Sequence, residues 1–336
     1  MSAFAREFLR DIVEEPSRPR GFLALFGKHP GWDDHVEDLP LATSSLALAK
    51  QNLYFQGIGG QVSSGGWARL AEGQSLAGFD HAILWHRGSQ FIAGRLWSST
   101  DGKRRAHFPM VAMVHCIGVP VGPSLGSILT WLTTVEAACK ATRSADTVRS
   151  LFERCQGDFQ GWLDRADHGA TDDVSSVDWA ITSEQLVPAV AEVQRQARDF
   201  TARRFKERSQ LGSSHRRVPA SGTDQGRDLR LWNRLLSRTL HEAVPFLLAA
   251  ARGQPWVDMI AGEPIAQDFL SLRATDLAIP VISNSEVDCE HQAEAENIVR
   301  LCLDPSAAGL EEPAVRPTSG WFSRLLSGKE PGRRTN

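Results

Sequence analysis

The chain has 336 residues, 42% of them hydrophobic and 23% charged, and carries a net charge of −3. That length and apolar content support a globular core built as one large α/β domain or two smaller ones, and the near-neutral balance excludes a general electrostatic affinity for nucleic acid or an anionic membrane. The most apolar run, residues 110–121, is interrupted by His115 and falls well short of the ~20 residues a membrane helix needs.

In chain order, residues 1–20 alternate apolar side chains with Arg6, Glu7, Arg10, Asp11, Glu14 and Glu15. They read as an amphipathic extension without the unbroken apolar stretch of a signal peptide, so a cytoplasmic protein is expected. GFLALF (21–26) predicts a buried strand entering the loop GKHPGWDD. Residues 41–55 predict a helix ending at Gly57, and GIGGQVSSGG (57–66) a flexible connection. Strands are expected at 82–85 and 91–97, paired around HRGSQ, and again at 110–117.

Beyond residue 124 the apolar period becomes helical, with a helix from Ser124, a second capped by Ser144 and a third from about Ser183. Residues 209–226 read as a linker rich in Gly, Ser and Pro. A helix over 229–240 then precedes a strand-turn-strand pattern, PFLLAA, GQP and WVDMIAG, and FLSLRA and LAIPVI suggest two more strands. The pattern predicts an α/β fold, a mixed sheet flanked by helices on both faces as a three-layer αβα sandwich, spanning 21–304 with a helical, basic insertion at about 183–226. Residues 305–336 read as a disordered tail containing one short amphipathic piece, 320–326.

The candidate chemistry is sparse. Cys116, Cys139, Cys155, Cys289 and Cys302 are odd in number and without a CxxC pair, which fits reduced core thiols rather than disulfides or zinc. Neither a P-loop nor a G-x-G-x-x-G turn is present, so no nucleotide cofactor is expected. GPSLG (122–126) matches the nucleophile-elbow pattern, with Ser124 as nucleophile of a serine hydrolase; Ser124 as a helix N-cap explains the same residues. His29, Asp33, Asp34 and His35 could hold a divalent metal, but their spacing follows no recognised ligand set. Residues 195–217 hold eight basic side chains against two acidic ones, a solvated face or a contact for the acidic residues Glu286 to Glu296.

Two islands combine polar side chains with Gly and Pro turns beside a strand, the pattern of a recognition loop on a rigid scaffold. They are FGKHPGWDDH (26–35) and GRLWSSTDGKRRAHFPMVAMVHC (94–116). Lys28, Asp33 and Asp34 on the first, and Asp101, Lys103, Arg104 and Arg105 on the second, would supply polar contacts to a protein partner. Trp32 and Trp97 would supply the aromatic anchors of such an interface.

Taken in order, the islands resemble the TagF (ImpM) family of type VI secretion-associated proteins. Phe26, Gly27, Lys28, His29 and Pro30, followed by Asp33 or Asp34, fall on the family's first loop. Ser99, Asp101, Arg105, Phe108 and Pro109 fall on its second. The resemblance implies a single α/β sheet flanked by helices, no enzymatic activity and no cofactor. It further implies a cytoplasmic regulator that restrains secretion after translation together with a forkhead-associated scaffold protein. Gly31-Trp32-Asp33-Asp34-His35 departs from the family's usual small or basic residues at that point, and residues 183–226 have no assignable counterpart.

Overall fold

The computed structural model describes residues 18–165, 181–206, 213–240, 244–282 and 289–303. The amphipathic extension, apart from residues 18–20, and the tail with its 320–326 segment lie outside them.

One antiparallel sheet of eight strands organises these residues, in the order β2-β1-β5-β4-β3-β7-β8-β6. The strands are β1 Arg20–Lys28, β2 His35–Val36, β3 Asp80–Arg87, β4 Gln90–Ser98, β5 Pro109–Ile117, β6 Ser214–Pro219, β7 Phe246–Ala251 and β8 Trp256–Ala261. Side chains alternate across each strand, so every central strand feeds two separate cores. Leu23, Leu25, Met110, Ala112 and Val114 face one layer. Ala24, Phe26, Val111 and Met113 face the other.

The first layer holds α3 Val121–Lys140, α4 Ala145–Asp164, α5 Ser183–Lys206, α6 Gln225–Thr239 and α7 Cys289–Leu303. The second holds a continuous helical rod, α1 Ser44–Ala49, a π-helical stretch Lys50–Ile58 and α2 Gly59–Ser64, together with 3-10 turns at Trp67–Arg69 and Ala266–Arg273. The expected α/β sandwich with helices on both faces is therefore present, but the sheet is not mixed as expected, since every strand pairs antiparallel.

Four local expectations are corrected. The first helix does not stop at Gly57 but continues to Ser64 and ends at Gly65, which adopts the left-handed C-cap conformation (φ 67°). A Cβ at Gly57 would stand 2.3 Å from the Phe269 ring, so this glycine serves close packing rather than termination. Residues 214–219 form edge strand β6 rather than part of a linker, because Arg217 is buried there in an ion pair with Asp258 (Nε to Oδ1 2.9 Å). FLSLRA lies in the 3-10 turn Ala266–Arg273, and residues 277–282 form no strand. Finally, α3 begins at Val121 with Pro120 in the N-cap position, so Ser124 lies inside the helix and caps nothing. Ser144 does cap α4, accepting from Thr147 N–H.

Candidate functional site

The sheet order brings the two islands together. β1 and β4 both pair with β5, Gly27 opposite Met110 and Ser98 opposite Pro109, so the loop leaving β1 and the loop joining β4 to β5 emerge side by side. Gly27 makes this approach possible: its φ is 112°, and a Cβ there would lie 2.3 Å from the Pro109 carbonyl oxygen.

Asp101 is the hub of the second loop. It is 1% exposed, and its Oδ1 accepts from the backbone N–H groups of Lys103 and Arg105, both at 2.9 Å. Its Oδ2 accepts from Arg105 Nε at 2.7 Å and from Lys28 Nζ at 2.9 Å. Burial works to raise the Asp101 pKa, but the hydrogen bonds from Arg105 and Lys28 and the Lys28 charge outweigh it and hold the carboxyl well below the usual range. Lys28, 3% exposed, also pairs with Asp34, whose carboxyl is lowered first by the Lys28 hydrogen bond. Hydrogen bonds to backbone carbonyls close the loops on each other: Gly102 N–H donates to the Trp32 carbonyl (2.7 Å) and the Arg105 side chain, through Nη2, to the Asp33 carbonyl (2.8 Å).

The first loop is tied to the helical layer as well. His29 Nε2 lies 3.0 Å from the Cys139 carbonyl near the end of α3, and its Nδ1 accepts from Gly31 N–H (3.0 Å). The ring therefore donates through Nε2, and burial lowers its pKa. Trp32, half-buried, packs edge-on against His29, carries the Arg149 guanidinium 5.5 Å from its ring, and donates from Nε1 to Asp38 (3.0 Å).

Trp97 is corrected. It is 2% exposed and belongs to the core against the α3 layer, because it follows Ala93 and Arg95 on the inward face of β4. Lys28 and Asp101 are interior staples rather than surface contacts. What the loops leave exposed is Asp33, Asp34, Lys103, Arg104 and Arg105, beside the half-buried Trp32.

Among the described residues, no group of three or more His, Cys, Asp or Glu side chains converges as metal ligands. Both His29 nitrogens are engaged, and the carboxylates of Asp34 and Asp101 already face the cations of Lys28 and Arg105. Ser124 is 1% exposed and its hydroxyl has no hydrogen-bond partner among the described residues, so none of them serves as its base. An open groove of about 580 Å³ lies between α2 and the Ala266–Arg273 turn. Its one titratable lining residue, Arg69, donates to the Ser64 carbonyl.

Two buried polar clusters escaped the sequence reading. Arg95 on β4 meets Glu136 (2.8 Å), Asp80 (2.5 Å) and Gln225 (2.6 Å), joining α3, β3 and α6. Arg217 on β6 joins Asp258 to the carbonyls of Ser271, Ala274 and Ile279 and stacks 4.4 Å from the Trp256 ring centre. The available signal is an arginine set inside an apolar strand pattern, since such a residue must be paired when buried. Phe55, 49% exposed on the π-helical stretch, was also missed. Cys116, Cys139, Cys155 and Cys302 are buried free thiols, and among the described residues no helix is long and apolar enough to cross a membrane.

Fold and site thus define an α/β sandwich carrying two charged loops stapled by a buried ion pair. Compared with known proteins, the chain matches no family model, no curated protein and no solved structure.

Proposed function

We propose that the chain is a non-enzymatic docking protein of the kind its two loop motifs resemble, a TagF-like cytoplasmic regulator that modulates type VI secretion after translation. Its partner is a forkhead-associated scaffold protein, engaged through the face formed by the two loops. The observation that carries this reading is the Lys28–Asp101 staple. It holds residues 73 positions apart in sequence in one fixed surface, so Trp32, Asp33, Asp34, Lys103, Arg104 and Arg105 meet a partner together. A surface held in its binding geometry before contact loses less side-chain and loop freedom on association.

Capture of the scaffold protein by wild type and by the triple variant Lys103→Glu/Arg104→Glu/Arg105→Glu tests the reading. Reversing three charges at the face should abolish capture; because Arg105 also braces the buried Asp101, the double variant Lys103→Glu/Arg104→Glu, whose side chains are both exposed, should abolish it as well with the fold intact. Equal capture by both proteins refutes the docking face. Covalent labelling of Ser124 by an active-site-directed phosphonate in the folded protein refutes the non-enzymatic part.

A further inference from the structure

Among the described residues, Arg104 is the one non-glycine residue with a positive φ, at 63°. In that conformation the Cβ of an L-residue crowds its own carbonyl. The strain is imposed by the turn around Asp101: Arg104 N–H donates to the Asp101 carbonyl (2.9 Å), while Asp101 N–H donates to the Arg105 carbonyl (3.3 Å). Such outliers cluster at active sites, ligand clamps and switch regions, held there by the surrounding structure.

The charges around the turn point the same way. Asp33 faces Lys103 at 3.9 Å, Asp34 faces Lys28 and Arg105, and Asp101 faces Lys28 and Arg105. Each carboxylate thus has its cation. Arg104 is exposed, and its guanidinium makes no ion pair or side-chain hydrogen bond with any described residue.

We infer that Arg104 is the anchor of this face, binding a carboxylate of an acidic segment on the protein partner through the paired N–H groups of its guanidinium. The inference rests on the docking reading above and names the chemistry of that contact. One unbalanced cation matches the single charge of a carboxylate, and the guanidinium fork fits its two oxygens. A phosphate monoester carries nearly two charges and would find Lys103 and Arg105 already committed.

The test is binding of a fluorescent decaglutamate peptide to the full chain at low ionic strength. Wild type should bind; Arg104→Lys, which keeps the charge but lacks the fork, should bind more weakly. Arg104→Gly should lose about tenfold or more in affinity, yet melt no lower than wild type because glycine accepts the left-handed conformation. If Arg104→Gly binds as wild type while the double reversal Lys103→Glu/Arg104→Glu, which leaves Arg105 on Asp101, does not, the face remains a docking site and the anchor assignment is overturned. If the triple variant also binds as wild type, the docking reading itself fails. Failure of wild type to bind decaglutamate, or displacement of the peptide by tripolyphosphate at lower concentration than by unlabelled decaglutamate, overturns the carboxylate assignment.

Discussion

Lys28 is an ammonium group with 4% of its side chain exposed, facing one fully buried carboxylate and one exposed carboxylate. Removing Lys28 takes from the buried Asp101 carboxylate its buried ammonium partner and leaves it with Arg105 and two backbone N–H groups, so the loss is that of one charge-assisted hydrogen bond rather than of all compensation. Lys28→Ala should therefore destabilise the protein by about 2 kcal/mol, read as a lower urea midpoint at unchanged slope. A loss of under 0.5 kcal/mol would mean that the staple does not hold the loops. At this scale the sequence was partly legible: Lys28, Asp33, Asp34, Asp101 and Lys103 to Arg105 were recognisable as one polar set from their turn context. Which of them lie inside was not, because burial depends on what packs above a loop. Trp97 was misplaced for the same reason, since an aromatic residue suits a core and an interface equally well.

The helical rod over residues 44–64 shows how one close contact sets an element's course. Gly57 lets the Phe269 ring approach where any side chain would intrude, and the stretch around it is wound as a π-helix, a form rare outside functional or locally strained positions. Within it Tyr54 is buried and Phe55 exposed. Gly57→Val should cost about 1–3 kcal/mol by overpacking, measurable as a lower melting temperature; a neutral outcome would show that Phe269 moves aside freely. The helices α4 and α6 were readable because each buries one apolar face, and β3, β4 and β5 because each is a largely apolar run buried on both faces. β6 was not, since its inward positions include Arg217, whose burial is tolerated only because Asp258 and three backbone carbonyls, absent from the local sequence, receive it. FLSLRA failed for a related reason, a short apolar run being equally compatible with a strand and a helical turn.

Across the whole molecule, the sheet buries histidines that water would protonate. Burial lowers His81 and His86 to about 4 and His115 to about 3, against 6.5 when free. His115 is held neutral between Thr43 Oγ1 (3.0 Å) and Gln90 Oε1 (2.9 Å), whereas the buried His81 Nε2 has no hydrogen-bond partner among the described residues. A histidine whose folded pKa is depressed costs nothing above pH 6.5. As pH falls below that value the unfolded chain takes up protons that the fold refuses, and stability is lost until the folded value is reached. Unfolding free energy should be nearly flat from pH 8 to 7 and then fall, by ~2 kcal/mol per histidine at pH 5. A flat profile down to pH 5 in urea titrations would show that these rings are solvated.

Apolar period, turn residues and composition acted through neighbours in the chain, so they determined from sequence alone the α/β class, most strands and helices, and the two polar loops with their charges. The order of the eight strands, the meeting of the loops beside β5, the interior positions of Lys28, Asp101 and Trp97, and the pairing of Arg95 and Arg217 were decided by tertiary structure. Lys28 and Asp101 lie 73 positions apart and Arg95 and Gln225 130, and the free energy of burying a charge or closing such a contact depends on partners that only the folded arrangement supplies.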